Sequence, residues 1–502
     1  MELSPDQQEA LDRVVKWFEA APQTQYCNSG DEDSDDYTPE SRCPRWPHTH
    51  GQAEEYPVMS VGGLAGTGKT TVLGQLSERL GAKVAYGAPT HKAAHVLRGK
   101  LRAEDRDNVR TYFSLVYHAQ PYATCDVTGQ YMPEIDPENG CVCGKPDSCE
   151  CARSFRPCFE VEGAQLRGEH ECRPVEQLKF DRRSHLGGYR DLVVVDEASM
   201  IPTERVRDIC AMGVPVLLIG DHGQLPPVKE ELNPWMLRPT VELTTNFRQS
   251  EESGIVAAAL EVRRTGQLSR RSYGDGSTVV TNLSTPGIAD LFTPDRFPPG
   301  PTRTIICWTN AMRAEVNERF HGEGPVRVGE RVISLGQAEC TAVTPKSETE
   351  PASTDSTDGW LYGDVEQVFN GMVGTVRAVI PVMLYSAPRK AGAAPAVDGK
   401  RHGTASKSVV DLVIEIDAGP TVLVRHVALA QFGNPQKLAP NQRPRGSSLW
   451  DYAYAITAHK AQGSEYDDVI VIDQGRMTER ARWMYTALTR AKKRLVVVEW
   501  RA

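Results

Sequence analysis

Apolar residues recur at Leu11, Val14, Val15 and Phe18, the spacing of one helix face. Ser4, followed three residues later by Gln7, supplies a capping box for that helix. Val58, Met59, Ser60 and Val61 read as a short buried strand, and Val72, Leu73, Leu76 and Leu80 as the buried face of a helix that Gly81 stops. Apolar runs of parallel-sheet character return at 84–88, 192–195, 214–219, 304–308, 469–472 and 495–498, separated by helical or irregular stretches. Such alternation predicts α/β layers. Between 326 and 430 the texture changes to short alternating strands, as in VRVGERVISL and TVLVRHVAL, which predicts a small antiparallel β-barrel set into a second α/β domain. Residues 22–55 break the pattern with acid, Pro, Gly and two cysteines and read as an inserted surface loop; 388–406, rich in Ala, Gly and Lys, read as a mobile loop.

Composition changes this picture in two places. The chain of 502 residues carries a net charge of −9, but that charge is unevenly spread, with five acidic residues in DEDSDD at 31–36, so the total does not exclude a nucleic-acid partner. The stretch 475–495 holds seven basic residues against one acidic one, a local basic face or a solvated helix. No run of about 18 apolar residues occurs, which excludes a membrane-spanning reading, and the start MELSPDQQEAL lacks a signal-peptide pattern. A cytoplasmic location is expected. In a reducing compartment twelve cysteines are read for metal before disulfides. Cys210, Cys307 and Cys340 lie in or near apolar segments and suit a core.

Chemistry enters between the first strand and the helix that follows it. There the chain reads G-x-x-x-x-G-K-T, with Gly63, Gly66, Gly68, Lys69 and Thr70. Glycines at this turn let backbone N–H groups approach phosphate oxygens at a helix N-terminus, Lys69 would reach the β and γ phosphates, and Thr70 would ligate Mg²⁺. The strand at 192–195 ends in Asp196-Glu197. Asp196 would hold Mg²⁺ and Glu197 would take a proton from the attacking water. Loop and carboxylates must then sit on neighbouring strands of one sheet.

The order of motifs resembles superfamily 1B helicases of the RecD and Dda type, over about two thirds of the chain. LSPDQ (3–7) is similar to a Q motif, APTHKAAHVL (88–97) to motif Ia, and RTYFSL (110–115) to the Thr-x-x-Ser motif after it. VVVDEASM (193–200), GDHGQLPPV (220–228) and LTTNFRQ (243–249) are similar to motifs II, III and IV. CWTNAMRAEVN (307–317) resembles the next family segment, YAITAHKAQGSEYDDVIV (454–471) motif V and MYTALTRAKKRL (484–495) motif VI. The resemblance implies two RecA-like P-loop NTPase domains, with a Cys-rich insert and a small SH3-like β-barrel insert. The first domain would span 1–235, carrying inserts at 22–55 and 117–189. The second would span 236–325 and 431–502, with the barrel at 326–430.

In that family Gln7 contacts adenine, and Gln224 senses the γ-phosphate. Arg248 and Arg490 act as arginine fingers from the second domain. Thr71, Gly463 and Glu465 complete the ATP contacts. Nucleic-acid contacts fall at Pro89, Thr90 and His91, at Ser114, at Asn310, and at Thr457, His459 and Lys460. Such small hydroxyl and amide donors bind phosphate without reading bases. Tyr112, Phe113 and Trp308 are candidates for base stacking or for core. Relatives place a strand-separating hairpin between the Thr-x-x-Ser segment and motif II; here about seventy residues include CVCGKPDSCEC. Its Cys141, Cys143, Cys149 and Cys151 suit Zn²⁺ or, second, an iron–sulfur cluster, although C-x-C departs from the usual knuckle. The expected activity is an ATP-dependent DNA helicase that moves 5′ to 3′ on single-stranded and tailed duplex DNA, with replication or recombination proteins as further partners. A remodelling ATPase that does not unwind, and a motor subunit of a larger recombination complex, remain open alternatives.

Overall fold

The computed structural model describes residues 3–21, 58–125, 131–132, 174–182, 191–212, 214–227, 230–245, 253–282, 295, 297–346, 355–356, 360–384, 404–417, 419–439, 442–444, 446–475 and 479–500. Arg248, Cys141, Cys143, Cys149 and Cys151 lie outside them, as do the loop at 22–55 and most of that at 388–406.

The first lobe is a six-stranded parallel sheet. Its strands begin with β1 (Val58–Gly63), β2 (Val84–Ala88) and β3 (Val109–Thr111). A separate antiparallel ribbon follows, of β4 (Tyr117–Cys125), β5 (Tyr131–Met132) and β6 (Pro174–Arg182). The chain then returns to the main sheet as β7 (Leu192–Val195), β8 (Val216–Gly220) and β9 (Val241–Leu243). The order across the sheet is β3-β2-β7-β8-β1-β9, so β1 and β7 both flank β8. Every residue of β2, β7 and β8 is buried, because helices cover both faces. Pro5–Ala20, Lys69–Leu80 and His91–Lys100 close one face through Leu11, Leu73, Leu76 and Leu97; Thr203–Cys210 closes the other through Val206 and Ile209. Burying each such side chain stabilises the fold by about 1.5–3 kcal/mol before entropy is counted.

The ribbon grows from the 117–189 insert, with β4 and β6 paired from Tyr117↔Arg182 to Cys125↔Pro174.

The second lobe repeats the plan with β10 (Ser272–Tyr273), β11 (Thr278–Asn282) and β12 (Arg303–Cys307). An antiparallel unit then intervenes, of β13 (Arg331–Ser334), β14 (Ala338–Pro345), β15 (Trp360–Val368), β16 (Val373–Leu384), β17 (Thr404–Ile416), β18 (Thr421–Ala428) and β19 (Trp450–Tyr452). The lobe closes with β20 (Ala455–Thr457), β21 (Tyr466–Asp473) and β22 (Ala491–Glu499). Its sheet runs β10-β11-β22-β21-β12-β20 and is parallel apart from the β10–β11 pair.

Three expectations need correction. Val241–Leu243, assigned by sequence to the second domain, pairs in parallel with β1, so the first lobe runs past residue 235. Trp450–Tyr452 pairs with β13, which carries the antiparallel unit past residue 430. The reason is packing: Ile305 and Val316 of the second lobe share one buried cluster with Val376, Leu412 and Trp450, so the unit has no core boundary of its own there. The unit is antiparallel as expected, but it runs β15-β14-β18-β17-β16-β13-β19, and no pairing among the described residues joins its edges into a barrel. Leu361, Tyr362 and Val365 on the edge strand β15 stay exposed, as expected of a strand that is not covered by closure.

Candidate nucleotide and nucleic-acid sites

The turn after β1 is built for close approach. Gly66 and Gly68 have φ of 89° and 76°, in the left-handed region that favours glycine. A Cβ on Gly68 would also stand 2.1 Å from the Gln7 side-chain nitrogen, so a side chain there would be strained by its φ and would displace Gln7. The ammonium of Lys69 donates to the carbonyls of Gly63 at 2.8 Å and Leu64 at 2.9 Å. Two of its three donors thus fold back over the turn and hold the charge above the loop.

Gln7 does two things. The capping box is present: Gln7 N–H faces Ser4 Oγ at 3.3 Å, and Gln7 Oε1 accepts from Ser4 N–H at 3.0 Å. Its Nε2 donates to the Thr67 carbonyl at 3.0 Å. The first helix is thereby tied to the phosphate loop by the amide expected to meet adenine.

Across the sheet, Asp196 and Glu197 follow β7. Asp196 Oδ1 accepts from Glu197 N–H at 2.9 Å. Burial, and then the neighbouring Glu197 charge, push the Asp196 carboxyl up to about 6. Glu197 is held at φ 52°, and its Oε2 is buried without a hydrogen-bond partner. Gln224 is buried as well; its Nε2 donates to Asp221 Oδ2 at 3.4 Å while its Oε1 has no partner.

Arg490 arrives from the second lobe. Its guanidinium donates to Thr486 O at 3.1 Å, Thr489 Oγ1 at 3.2 Å and Ser464 O at 3.4 Å. These groups meet around a cavity of about 370 Å³, lined by Gly66, Gly68, Lys69, Thr70 and Thr71, by Asp196, Glu197 and Gln224, and from the other lobe by Gly463, Glu465 and Arg490. Gly63 lies just behind this lining, at the end of β1.

The two lobes touch through named contacts. Tyr485 donates its hydroxyl to Asp221 Oδ2 at 2.8 Å and accepts from Ala65 N–H at 3.3 Å. Leu225 N–H donates to Thr486 Oγ1 at 2.9 Å, and Gln462 Nε2 to Leu225 O at 3.4 Å.

Comparison with known proteins agrees with this geometry. Residues 50–279 match the family described as an AAA domain, and residues 452–498 the UvrD-like helicase C-terminal domain. The ATP-dependent RecD2 DNA helicase of Deinococcus radiodurans is 26% identical over 324 residues, which are 61% of this chain and 36% of that protein. The chain is thus similar to an AAA domain in its first lobe, to a UvrD-like helicase C-terminal domain at its end, and to a RecD2 helicase over 324 residues. It spans 36% of the length of that curated relative. Bacteroides Pif1 bound to ssDNA shares 17% identity at a TM-score of 0.44, covering 99% of this chain and 92% of its own. A structure on DNA unwinding at forked dsDNA by two coordinating Pif1 helicases shares 18% at 0.45, with the same coverage.

The residues expected to contact nucleic acid are placed as follows. Pro89 and Thr90 lead into the helix His91–Lys100, and Thr90 Oγ1 caps it by accepting from Ala93 N–H at 3.1 Å. Ser114 pairs with Thr111 through their hydroxyls at 3.0 Å. Asn310 is exposed at the first turn of Asn310–His321. Thr457, His459 and Lys460 lie at the end of β20 and in the short helix Ala458–Ala461. Burial lowers the Lys460 ammonium to about 8, helped by nearby Arg313. His91 and Ser114 line a second cleft of about 820 Å³ between the first lobe and the antiparallel unit.

The aromatic candidates resolve toward packing. Tyr112 and Phe113 are half-buried against the first-lobe core, and Trp308 stands edge-on to Trp483 at 5.8 Å. The basic stretch at 475–495 is not a solvated helix: Trp483 to Leu488 are buried, and Arg480, Lys493 and Arg494 pair with Asp473, Asp467 and Asp468. Sequence reasoning missed two residues. Phe369 stacks face to face on His91, with ring centroids 3.6 Å apart, and was signalled only by the Asn370-Gly371 turn beside it. Tyr485 lay inside the motif VI stretch without a role. Among the described residues no cluster of His, Cys, Asp and Glu is arranged to hold a metal, and no helix is long and apolar enough to cross a membrane.

Proposed function

We propose that this chain is an ATP-dependent DNA helicase that walks 5′ to 3′ on single-stranded DNA and opens tailed duplexes. One observation carries the reading. Lys69 and the unpaired Glu197 carboxylate oxygen on one lobe share a cavity with Arg490 of the other, so cleavage chemistry is completed only when two bodies meet.

The donor set fits a magnesium–nucleoside triphosphate. Backbone N–H groups of the turn and the Lys69 ammonium receive the phosphates, while Thr70 and Asp196 hold the cation. That cation neutralises charge on the phosphate oxygens. Glu197 orients the attacking water and takes its proton. Arg490, and Arg248 by resemblance, supply positive charge at the transferred phosphoryl group, and Gln224 registers its loss. Gln7 closes the base end of the site. Departure of the γ-phosphate then loosens the grip between the lobes, and Pro89, Thr90, His91 and Ser114 on one side shift against Asn310, Thr457, His459 and Lys460 on the other.

The test is unwinding of duplexes carrying a 5′ or a 3′ single-stranded tail, with Lys69→Ala as control. Opening only 5′-tailed substrates supports the polarity; opening only 3′-tailed ones overturns it, and no opening with intact DNA-stimulated hydrolysis favours a remodelling ATPase. The cysteines Cys141, Cys143, Cys149 and Cys151 support a structural zinc site, with iron–sulfur second, on spacing alone. At least one metal ion per chain by elemental analysis is expected. A metal-free protein with an intact fold overturns it.

A further inference from the structure

We infer that Tyr485 is a positioning residue whose hydroxyl couples the phosphate loop and Gln224 of the first lobe to the helix of the second lobe that leads into Arg490. The inference rests on the ATPase reading above. It starts from one oxygen atom with partners on both sides of an interface. Tyr485 belongs to the second-lobe helix Arg480–Leu488, five residues before Arg490. Its ring is buried, and its hydroxyl reaches two first-lobe groups. From Ala65, which lines the nucleotide cavity, it accepts a backbone N–H at 3.3 Å. To Asp221 it donates its proton at 2.8 Å.

Asp221 is the hub on the other side. It is fully buried, accepts from Gly223 N–H at 2.9 Å, and holds Gln224 Nε2 at 3.4 Å. The same carboxylate that receives Tyr485 therefore sets the rotamer of the side chain assigned to sense phosphate. Gly223 makes room for the arrangement: a Cβ there would stand 3.1 Å from Tyr485 Cε1 and 3.2 Å from Asp221 Oδ1. Leu225, just beyond Gln224, has both backbone groups held by the second lobe, through Thr486 at 2.9 Å and Gln462 at 3.4 Å. Gln224 is thus bracketed by cross-lobe hydrogen bonds before and after it.

Burial raises the Tyr485 hydroxyl well above its ordinary range, so it stays a proton donor to Asp221 at any working pH. A phosphate-cradling N–H that engages a hydroxyl of the opposite lobe ties the geometry of the loop to lobe closure. Motion of the loop on nucleotide arrival or departure is passed through this oxygen to Asp221 and to the helix before Arg490.

The test uses the full chain and Tyr485→Phe, which removes one oxygen and keeps the ring. The kcat of DNA-stimulated hydrolysis is expected to fall about tenfold to a hundredfold, as small misplacements of catalytic groups do, with KM for ATP nearly unchanged. Asp221→Asn should do the same, and the double variant should be no worse than the weaker single one, because both cut one chain of contacts. An unchanged kcat, a change confined to KM, or losses that multiply in the double variant would overturn the inference. Hydrogen exchange of the peptide spanning 61–68, without nucleotide, should speed up in Tyr485→Phe; unchanged exchange also overturns it. A wild-type protein that does not hydrolyse ATP sinks the reading beneath, and exchange still decides the contact.

Discussion

The two walls of the nucleotide cavity are prepared differently. On the first-lobe wall, polar atoms are held without partners: Glu197 Oε2 and Gln224 Oε1 are both buried and unsatisfied. Leaving such a group unpaired costs about 1–3 kcal/mol, a cost accepted where a ligand is to supply the missing bond. On the second-lobe wall, Arg490 is satisfied by Thr486, Thr489 and Ser464 and lies 4% exposed. The first wall presents unpaired acceptors beside a lysine folded onto its own loop carbonyls, while the second keeps its guanidinium paired within its own lobe and must redirect it. On the proposed reading, recognition is preset on the first wall and the arginine's contribution to the chemistry is conditional on the second.

The largest effect expected from breaking this division is at the stored charge. Arg490→Ala should lower kcat by roughly 10³ to 10⁵, the range of an arginine finger, while ATP binding to the first-lobe wall survives. Stopped-flow binding of a fluorescent nucleotide, run beside steady-state hydrolysis, separates the two. If binding and turnover fall together, the guanidinium belongs to recognition and the comparison fails. Next is Glu197→Gln, which keeps the shape but removes the base; kcat should drop by about 10² to 10⁴ with tight ATP binding retained. A variant that hydrolyses at the wild-type rate would remove Glu197 from the chemistry.

Legibility from sequence divides along similar lines. The phosphate loop was readable because every part of it is local: a strand, glycines at positive φ and a helix start lie within 23 residues, from β1 to the end of the helix at Leu80. The strands at 84–88 and 192–195 were readable because parallel strands buried on both faces are continuous apolar runs. Arg490 was placed by resemblance to motif VI, and its burial was not visible, since its partners Ser464, Thr486 and Thr489 are ordinary residues whose carbonyls and hydroxyls do the work. Tyr485 was silent for a similar reason. Its meaning lies in Ala65 and Asp221, 420 and 264 residues away along the chain. The unit after 326 was read as antiparallel from its alternation, but its far edge was missed, because Trp450–Tyr452 is only three residues long and returns after an irregular stretch. Closure and shared core depend on contacts that periodicity does not encode.

The smallest effect tests whether the same division extends to the proposed nucleic-acid side. There Lys460 is a half-buried cation on the second lobe, with its ammonium lowered to about 8, whereas proposed first-lobe contacts such as Thr90 and Ser114 do not titrate in this range. The sign follows directly. A lysine with a lowered value is charged below about 8 and neutral above it, so a phosphate contact that needs the charge is present at neutral pH and lost on the alkaline side. A bound phosphate would raise the value again, so single-stranded DNA affinity should weaken by about tenfold from pH 7 to pH 9. The slope of log affinity against log salt should shrink by about 0.7, one phosphate on a single strand. Fluorescence anisotropy with a labelled oligothymidine measures both, and Lys460→Gln should be flat across the same range and already weak at pH 7. An alkaline loss that persists in Lys460→Gln would assign the titration elsewhere and leave the second-lobe wall without a conditional charge on its nucleic-acid side.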